Sequence, residues 1–251
     1  NWKSLWFFRL IIFICIRFIF FVMKAMILAA GLGETLYPIT RERAKPLLPI
    51  KGKPMLNHLL ESLKNVPLKS VCIVTNAKFY DEYVEWKKES GFDVEIVNNG
   101  SFEEKGAVYD INLAIEKCCI DDDLMIFAGG HMVDFSLREF YNIFKGKSVV
   151  ALSDYEDKML IAGRLGCVLL DDGKIVNFEE KPEEPKSSLV ATACYIVSKN
   201  DVGKLKSVKG DKLGDVVGHL VKNSEVRGYI MKGRWFYVGN VDQYSYLKNN
   251  F

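Results

Sequence analysis

From Met23 onward, short apolar runs rich in β-branched residues alternate with longer amphipathic stretches. This alternation predicts parallel strands joined by crossover helices, because each helix buries its apolar face only by packing on a shared sheet. We therefore expect an α/β protein with a mostly parallel, right-handed sheet. The predicted strands are 24–29, 70–75, 93–97 and 123–128, and the predicted helices between them are 55–64, 80–90 and 107–119.

The pattern changes beyond residue 148, where two apolar segments read as a β-hairpin. Residues 167–170 and 175–180 are separated by Asp171-Asp172-Gly173, a typical turn sequence. Before them, Ser136 with Glu139 three residues later predicts a capping box at a helix start. No proline- or serine-rich linker interrupts the chain, so we expect residues 23–251 to form one domain with a small β-hairpin lobe.

Residues 1–22 form a hydrophobic, basic N-terminal segment with Lys3, Arg9, Arg17 and no acidic residue. Its longest uninterrupted apolar run, 10–16, is too short to span a membrane, which takes about 20 residues. We expect this segment to lie outside the domain as a non-native leader, a membrane anchor or a partner-binding arm. The domain itself is expected to be cytoplasmic, or membrane-anchored if residues 1–22 serve as an anchor.

Composition excludes several classes of function. Without residues 1–22 the chain has 31 basic and 32 acidic residues, so no positive field favours nucleic acid. The six cysteines contain no CxxC pair, and no histidine lies at metal-ligand spacing, which argues against a zinc site and a disulfide framework. No GxSxG sequence is present either, so the chain lacks this signature of a covalent hydrolase.

A glycine loop follows the first predicted strand, in the sequence Leu28-Ala-Ala-Gly-Leu-Gly33. At the carboxyl edge of a parallel sheet, the backbone amides of such a loop can bind phosphate oxygens. The third glycine of a dinucleotide-binding loop is missing, because Leu36 stands there, and prolines prevent a helix from starting directly after the loop. What remains is an extended glycine loop followed by a lysine, Lys45.

Five motifs give the chain a resemblance to the sugar-1-phosphate nucleotidyltransferases, such as glucose-1-phosphate thymidylyltransferase. They are Met26-Ile-Leu-Ala-Ala-Gly-Leu-Gly33, Lys45-Pro-Leu-Leu-Pro49, Gly52-Lys-Pro-Met55, Phe178-Glu-Glu-Lys-Pro182 and the segment 235–239, in the family's order. The resemblance covers almost all of residues 23–251. It implies a three-layer α/β/α sandwich that binds the nucleotide at the glycine loop and the sugar phosphate under the second lobe.

The resemblance also implies a reaction: a sugar 1-phosphate attacks the α-phosphorus of a nucleoside triphosphate, and pyrophosphate leaves. Mg²⁺ and basic side chains would neutralise the developing charge. On this reading Lys45 and Lys181 are the catalytic lysines, and Gly166, Glu180 and Lys181 bind the sugar phosphate. The implied nucleotide-binding residues are Leu28, Ala29, Ala30, Gly31, Gly33, Gly106, Tyr109 and Asp110.

The chain departs from the family pattern at the charged positions. Thr35 stands where the family has an arginine that reaches the triphosphate. Gly130 and Tyr237 stand where it has two aspartates that hold magnesium, and a glycine or a phenol is a poor substitute for a carboxylate ligand. No metal ligand is therefore predicted here. Tyr109 replaces a glycine close to the nucleotide, where its ring could obstruct the base.

Three functions stay open at this stage. The chain is a nucleotidyltransferase of weak activity, or a catalytically degenerate nucleotide- and sugar-phosphate-binding protein, or a membrane-tethered interaction protein that uses residues 1–22. A degenerate member would serve as a regulatory or scaffold partner of an active paralogue or of its own copies. If the metal site were rebuilt from other side chains, His131, Asp134 and Asp110 would be its donors.

Overall fold

The computed structural model describes residues 23–251, and the expectations for residues 1–22 lie outside the described residues. Within 23–251 no helix combines the length and apolar character that crossing a membrane requires. The strands are β1 (Met23–Leu28), β2 (Pro49–Ile50), β3 (Lys53–Pro54), β4 (Leu68–Thr75), β5 (Glu95–Asn98), β6 (Asp123–Ala128), β7 (His131–Val133), β8 (Ser148–Asp154), β9 (Cys167–Asp171), β10 (Lys174–Glu179), β11 (Leu189–Val197), β12 (Val226–Ile230) and β13 (Trp235–Tyr237). The helices are α1 (Met55–Leu63), α2 (Tyr80–Ser90), α3 (Ala107–Lys117), α4 (Leu137–Ile143), α5 (Lys199–Val202), α6 (Leu213–Asn223) and α7 (Val241–Asn250).

One nine-stranded sheet runs through this part of the chain in the order β5-β4-β1-β6-β11-β8-β12-β10-β9. Strands β5, β4, β1 and β6 are parallel, as the sequence predicts. Beyond β6 the sheet is mixed, because β11 runs antiparallel to both β6 and β8 while β12 is parallel to β8. The predicted hairpin is β9–β10, and its turn residues Asp172 and Gly173 have positive φ angles of 45° and 71°.

Helices cover both faces of the sheet, which confirms the three-layer α/β/α sandwich. Alternate residues of β1 enter different cores: Ala25 and Ile27 pack with α1, α2 and α4, whereas Met26 packs with α3 and α6. A third apolar cluster joins β13 and β7 to α7. Of the capping box predicted at α4 the N-cap bond is present, because Ser136 Oγ accepts a hydrogen bond from the backbone N–H of Glu139 at 3.2 Å, whereas the Glu139 side chain does not return a bond to the Ser136 N–H.

The parallel half of the sheet brings four loops to one edge. Strands β1, β4, β5 and β6 all end there, so the chain segments that follow them lie side by side. Backbone hydrogen bonds hold these segments together: Ala29 N–H to the Val74 carbonyl, Asn99 N–H to Thr75 and Gly129 N–H to Leu28, each at 2.8 Å. This edge is where the candidate site is built.

Candidate functional site

The glycine loop forms one wall of a cavity of about 320 Å³ at the carboxyl edge of the sheet. Gly33 has a positive φ of 69° and lies against Thr40, whose hydroxyl donates a hydrogen bond to the Gly33 carbonyl at 2.6 Å. A side chain at Gly33 would therefore be strained and crowded, so the loop requires glycine there. The other residues that line the cavity are Leu28, Ala29, Gly31, Glu34, Thr35, Lys45, Pro46, Glu104, Ala128, Gly130 and His131.

Several of the residues predicted to bind nucleotide come together here. Leu28, Ala29, Gly31 and Gly33 line the cavity with Lys45. Ala30 does not line the cavity, but its carbonyl accepts a hydrogen bond from Asn76 Nδ2 at 2.8 Å, which fixes this part of the loop. The backbone therefore presents the loop in a fixed conformation.

The other three predicted nucleotide residues do not line this cavity. Gly106 packs under a neighbouring loop, where a Cβ would lie 2.8 Å from the Asp211 carbonyl oxygen. The exposed ring of Tyr109 lines a separate surface cavity of about 950 Å³, so it does not fill the space beside the glycine loop. Asp110 is buried behind the site, and its Oδ1 accepts a hydrogen bond from Asn99 Nδ2 at 2.9 Å.

Lys45 is the cation of this cavity. It begins a 3₁₀ turn, Lys45–Leu47, in which Pro46 and Leu47 are buried and fix the backbone. Burial lowers the pKa of Lys45 to about 8, and the Glu104 carboxylate opposes that shift. Within residues 23–251 no carboxylate lies within 4.0 Å of its Nζ. The ammonium group is therefore available to an anion that enters the cavity.

Gly130 explains the position of that ammonium group. A Cβ at Gly130 would lie 2.9 Å from both Cδ and Nζ of Lys45, with Cε closer still. The lysine side chain thus occupies the space that a side chain at residue 130 would need. Thr35, in the neighbouring 3₁₀ turn, adds no charge to the cavity.

Glu104 is a site residue that sequence reasoning misses. Its Oε1 accepts a hydrogen bond from the backbone N–H of Leu32 at 2.8 Å, so a carboxylate already sits on the glycine loop. The available signal was topological: Glu104 lies in the loop after β5, and the loops after all the parallel strands meet at this edge. Its distance in sequence from Leu32, 72 residues, hides the contact.

Tyr237 lies between this cavity and a second one. Strands β13 and β7 pair antiparallel, which sets Tyr237 opposite His131 with ring centroids 5.1 Å apart. The Tyr237 ring is also 5.9 Å from Lys45 Nζ. On its other side it lines a cavity of about 630 Å³ that contains Lys181, Arg164 and Gln243. Arg164 is a second cation that the sequence did not single out.

Glu180 and Lys181 are adjacent in sequence but face different cavities. Lys181 has a positive φ of 48°, which turns the chain between them. Glu180 lines a third cavity, of about 440 Å³, with Phe178 and packs against Gly214 at the start of α6. Burial raises the pKa of Glu180, while Lys181 and Lys212 oppose the shift. Gly166 lies beside the same two side chains: a Cβ there would lie 2.6 Å from the Phe178 ring and 3.2 Å from Glu180 Oε2.

Comparison with known proteins decides the family. Residues 24–250 match the family model described as nucleotidyl transferase. The chain belongs to this family. It is 30% identical over 223 residues to the bifunctional protein GlmU of Methanocaldococcus jannaschii, an alignment that covers 86% of this chain and 51% of that protein. The chain therefore spans about half the length of the archaeal GlmU proteins it matches.

Two further relatives match over most of their own length. One is UTP–glucose-1-phosphate uridylyltransferase AglF of Haloferax volcanii, 30% identical over 179 residues, which are 69% of this chain and 71% of that protein. The other is the crystal structure of a putative glucose-1-phosphate thymidylyltransferase from Bacillus anthracis in complex with sucrose. It superposes with a TM-score of 0.79 at 25% identity and covers 90% of this chain and 94% of that chain. The predicted membership of the sugar-1-phosphate nucleotidyltransferases is confirmed.

The residues present do not fit the magnesium ion that the family implies. Gly130 has no side-chain donor atom, Tyr237 offers a phenol instead of a carboxylate, and Lys45 fills the space beside Gly130. The alternative donors are not assembled either. Asp134 forms an ion pair with Arg234, with Oδ2 2.6 Å from Nε, and Asp110 bonds to Asn99. Among residues 23–251 no group of three His, Cys, Asp or Glu side chains could hold a metal ion.

His131 stays neutral at the boundary of the cavity. Burial, and then the charge of Lys45, lowers the pKa of His131 well below its ordinary value. Its Nδ1 is buried and has no hydrogen-bond partner within residues 23–251. Its ring packs edge-on against Trp235 and Tyr237, at centroid distances of 5.4 and 5.1 Å. The contacts of His131 are therefore mainly aromatic.

Proposed function

We propose that this chain binds a nucleoside triphosphate at the glycine loop and a sugar 1-phosphate at Lys181 but transfers the nucleotidyl group weakly or not at all. The observation that carries the proposal is the contact between Lys45 and Gly130. Residue 130 lacks the carboxylate that the family has there. In addition, the Lys45 side chain fills the space that a side chain at residue 130 would need.

Weak transfer follows from the charges required by the chemistry. When a sugar phosphate attacks the α-phosphorus, negative charge spreads over the phosphoryl oxygens, and catalysis consists mostly of positioning and neutralising that charge. A divalent cation supplies much of the neutralisation when carboxylates hold it. Here Thr35, Gly130 and Tyr237 replace the arginine and the two aspartates, so the transition state loses three charged supports.

Retained binding follows from what remains. Backbone amides of the glycine loop and the ammonium group of Lys45 line one cavity, and Lys181 with Arg164 lines the next. Cations with few competing ion pairs hold phosphate groups through charge-assisted hydrogen bonds. Tyr237 lies 5.9 Å from Lys45 Nζ and lines the cavity of Lys181, and this closeness of the two cavities supports the proposal that each holds one of the two substrates.

A protein with these properties would act by holding ligands or by pairing with an active relative. Two relatives are named for UTP and glucose 1-phosphate or for thymidylyl transfer, so UTP, dTTP and glucose 1-phosphate are the first ligands to examine. We propose a regulatory or scaffold role beside an active paralogue, or in an assembly of identical copies, within nucleotide-sugar biosynthesis in the cytoplasm.

Calorimetric titration with these three ligands tests the proposal. Lys45→Ala should weaken triphosphate binding and Lys181→Ala should weaken glucose 1-phosphate binding, each by about 1.5 to 3 kcal/mol, the range for hydrogen bonds to charged groups. Lys174→Ala, an exposed lysine on β10, serves as the matched control and should change neither affinity. Unchanged affinities in both variants would place binding elsewhere, and no binding of any ligand would refute the proposal.

A further inference from the structure

The side chain of Lys45 lies where a metal-binding carboxylate would project. Its Nζ is 2.9 Å from the position of a Cβ at Gly130, and the Tyr237 ring closes the other side at 5.9 Å. A glycine and a tyrosine stand where the family has its two carboxylates, so neither position offers a divalent cation an anionic ligand beside the ammonium group. A metal ion placed here would meet the like charge of Lys45, and the two carboxylates that line the cavity, Glu34 and Glu104, belong to no group of three metal-ligating side chains among residues 23–251.

A carboxylate occupies the opposite wall of the same cavity. Glu104 Oε1 accepts the hydrogen bond of Leu32 N–H at 2.8 Å, and it would lie 3.6 Å from a Cβ at Gly31. Loop amides of this kind bind phosphate oxygens, so Glu104 satisfies a donor that a ligand phosphate would otherwise use. Its charge also acts on Lys45, whose pKa it raises against the effect of burial.

We infer that this cavity is a metal-independent phosphate site, in which the Lys45 ammonium takes the place of the divalent cation and Glu104 is an internal anion that a ligand phosphate displaces. The inference rests on the proposed function, and it specifies the form of the ligand: the nucleotide binds with its phosphates free of magnesium. No bond is made or broken in this exchange. The Glu104 carboxylate moves into solvent, which its exposed position in the loop allows.

The Mg²⁺ dependence of binding is the first test. Calorimetric titration of the full chain with UTP is carried out in EDTA and again in excess MgCl₂. We expect the affinity in EDTA to equal or exceed that in MgCl₂, because Mg²⁺ neutralises part of the ligand's charge and gains no protein ligand in return.

Two variants then locate the site. Glu104→Gln removes the competing charge and should tighten UTP binding in EDTA about tenfold, a gain of the size expected for one charge-assisted contact. Glu103→Gln changes its exposed neighbour, which does not line the cavity, and is the matched control that should leave the affinity unchanged. Gly130→Ala should weaken binding about tenfold, because the added methyl group displaces the ammonium; Gly203→Ala, where a Cβ meets nothing within 4 Å, controls for the substitution itself.

The possible results separate this inference from the proposed function. If Mg²⁺ tightens UTP binding tenfold or more, the inference is overturned while binding of nucleotide stands. Equal affinities for Glu104→Gln and Glu103→Gln would remove Glu104 as the competitor and overturn the exchange. Absence of UTP binding under both conditions would overturn the proposed function and this inference together. Because Glu104 is exposed, we expect Glu104→Gln to fold. The comparison of Glu104→Gln with Glu103→Gln therefore tests the inference even if Gly130→Ala is unstable.

Discussion

At the scale of single residues, the protonation of Lys45 controls the charge of the nucleotide cavity. Burial lowers its pKa from 10.5 to about 8, so the ammonium form is lost as pH rises through that value. At pH 7 about nine tenths of the lysine is protonated, and at pH 9 about one tenth. We expect the affinity for UTP to fall by up to about tenfold between these two values.

Calorimetry at constant ionic strength measures this change, with Lys45→Met as the control. The uncharged methionine should bind UTP weakly at both pH values and show no such trend. A wild-type affinity that does not fall between pH 7 and pH 9 would show that Lys45 does not hold the ligand.

Asp110 gives a second prediction, which concerns stability. Burial raises its pKa to about 6; the hydrogen bond from Asn99 lowers it and the charge of Glu104 raises it. Because the folded pKa lies above the ordinary value of 3.8, the group favours the fold only while protonated, and its contribution is lost as pH rises from about 4 to about 6. Asp110→Asn should therefore be more stable than wild type at pH 7, by about 1 to 3 kcal/mol, and equal to it near pH 4.

Denaturant unfolding at several pH values checks this sign. A variant that is less stable than wild type at pH 7 would mean that the ionised carboxylate has favourable partners that offset its burial.

The sequence predicts site residues whose identity alone indicates a role. Lys45, Lys181 and the glycines carry the family motifs, and the structure places Lys45 and the glycine loop at one cavity. Glu104 could not be found in this way, because its contact with Leu32 depends on the path of a loop 72 residues further along. The packing of Lys45 on Gly130 could not be predicted either. In the sequence, Lys45 indicates only a retained cation, and Gly130 indicates only a lost metal ligand.

At the scale of secondary-structure elements, Asp201 joins three segments of the mixed half of the sheet. It lies in α5 and accepts hydrogen bonds from Ser148 Oγ at 2.6 Å, Ser224 Oγ at 2.6 Å and Lys204 Nζ at 2.8 Å. Burial raises the pKa of Asp201, but these bonds and one from Ser198 outweigh it and lower the pKa to about 2. The network thus fixes α5 against the start of β8 and the segment before β12.

We expect Asp201→Asn to destabilise the fold by about 1.5 to 3 kcal/mol at neutral pH, because one accepting oxygen becomes an NH2 group that faces donors and the remaining bonds lose the carboxylate charge. The depressed pKa means that the wild-type contribution is present above about pH 4 and disappears as pH falls towards 2. Thermal unfolding measures the difference. Asp121→Asn, an exposed residue 3.9 Å from Lys199, is the control and should change stability by less than about 0.5 kcal/mol. Equal effects of the two substitutions would contradict this role of Asp201.

Local sequence predicted the strands and helices of the parallel half almost to their ends. The predicted strand 123–128 and helix 80–90 coincide with β6 and α2. The local sequence did not predict how β8, β11 and β12 pair. These strands lie far apart in the chain, and the hydrophobic periodicity of a strand does not show which distant strand it pairs with or in which direction. The short β7–β13 pair was missed for the same reason, and this pair is what brings Tyr237 to His131.

At the scale of the whole molecule, β1 is the centre of the parallel half and begins at Met23. It pairs with β4 on one side and β6 on the other, with Met23 opposite Leu68 and Asp123. Lys24 Nζ donates hydrogen bonds to the carbonyls of Cys118 and Cys119, at 2.9 and 3.0 Å, which secures the start of the strand. These contacts of the central strand all lie within residues 23–251.

We predict that deletion of residues 1–22 leaves a protein that unfolds cooperatively, with a denaturant midpoint close to that of the full chain. Chemical denaturation followed by far-UV circular dichroism compares the two. Loss of the cooperative transition in the shortened chain would show that residues 1–22 contribute to the core.

We propose that this chain keeps the fold and the phosphate contacts of a nucleotidyltransferase but has lost the charges that drive transfer. Continuous measurement of pyrophosphate release, with UTP, glucose 1-phosphate and Mg²⁺ in excess, tests it most directly on a sample whose UTP binding has been measured by calorimetry. We expect UTP to bind and pyrophosphate to appear at a rate far below about 1 s⁻¹ per protein molecule, or no faster than in a sample without protein. A turnover number of about 1 s⁻¹ or more, within the range of ordinary enzymes, would contradict it.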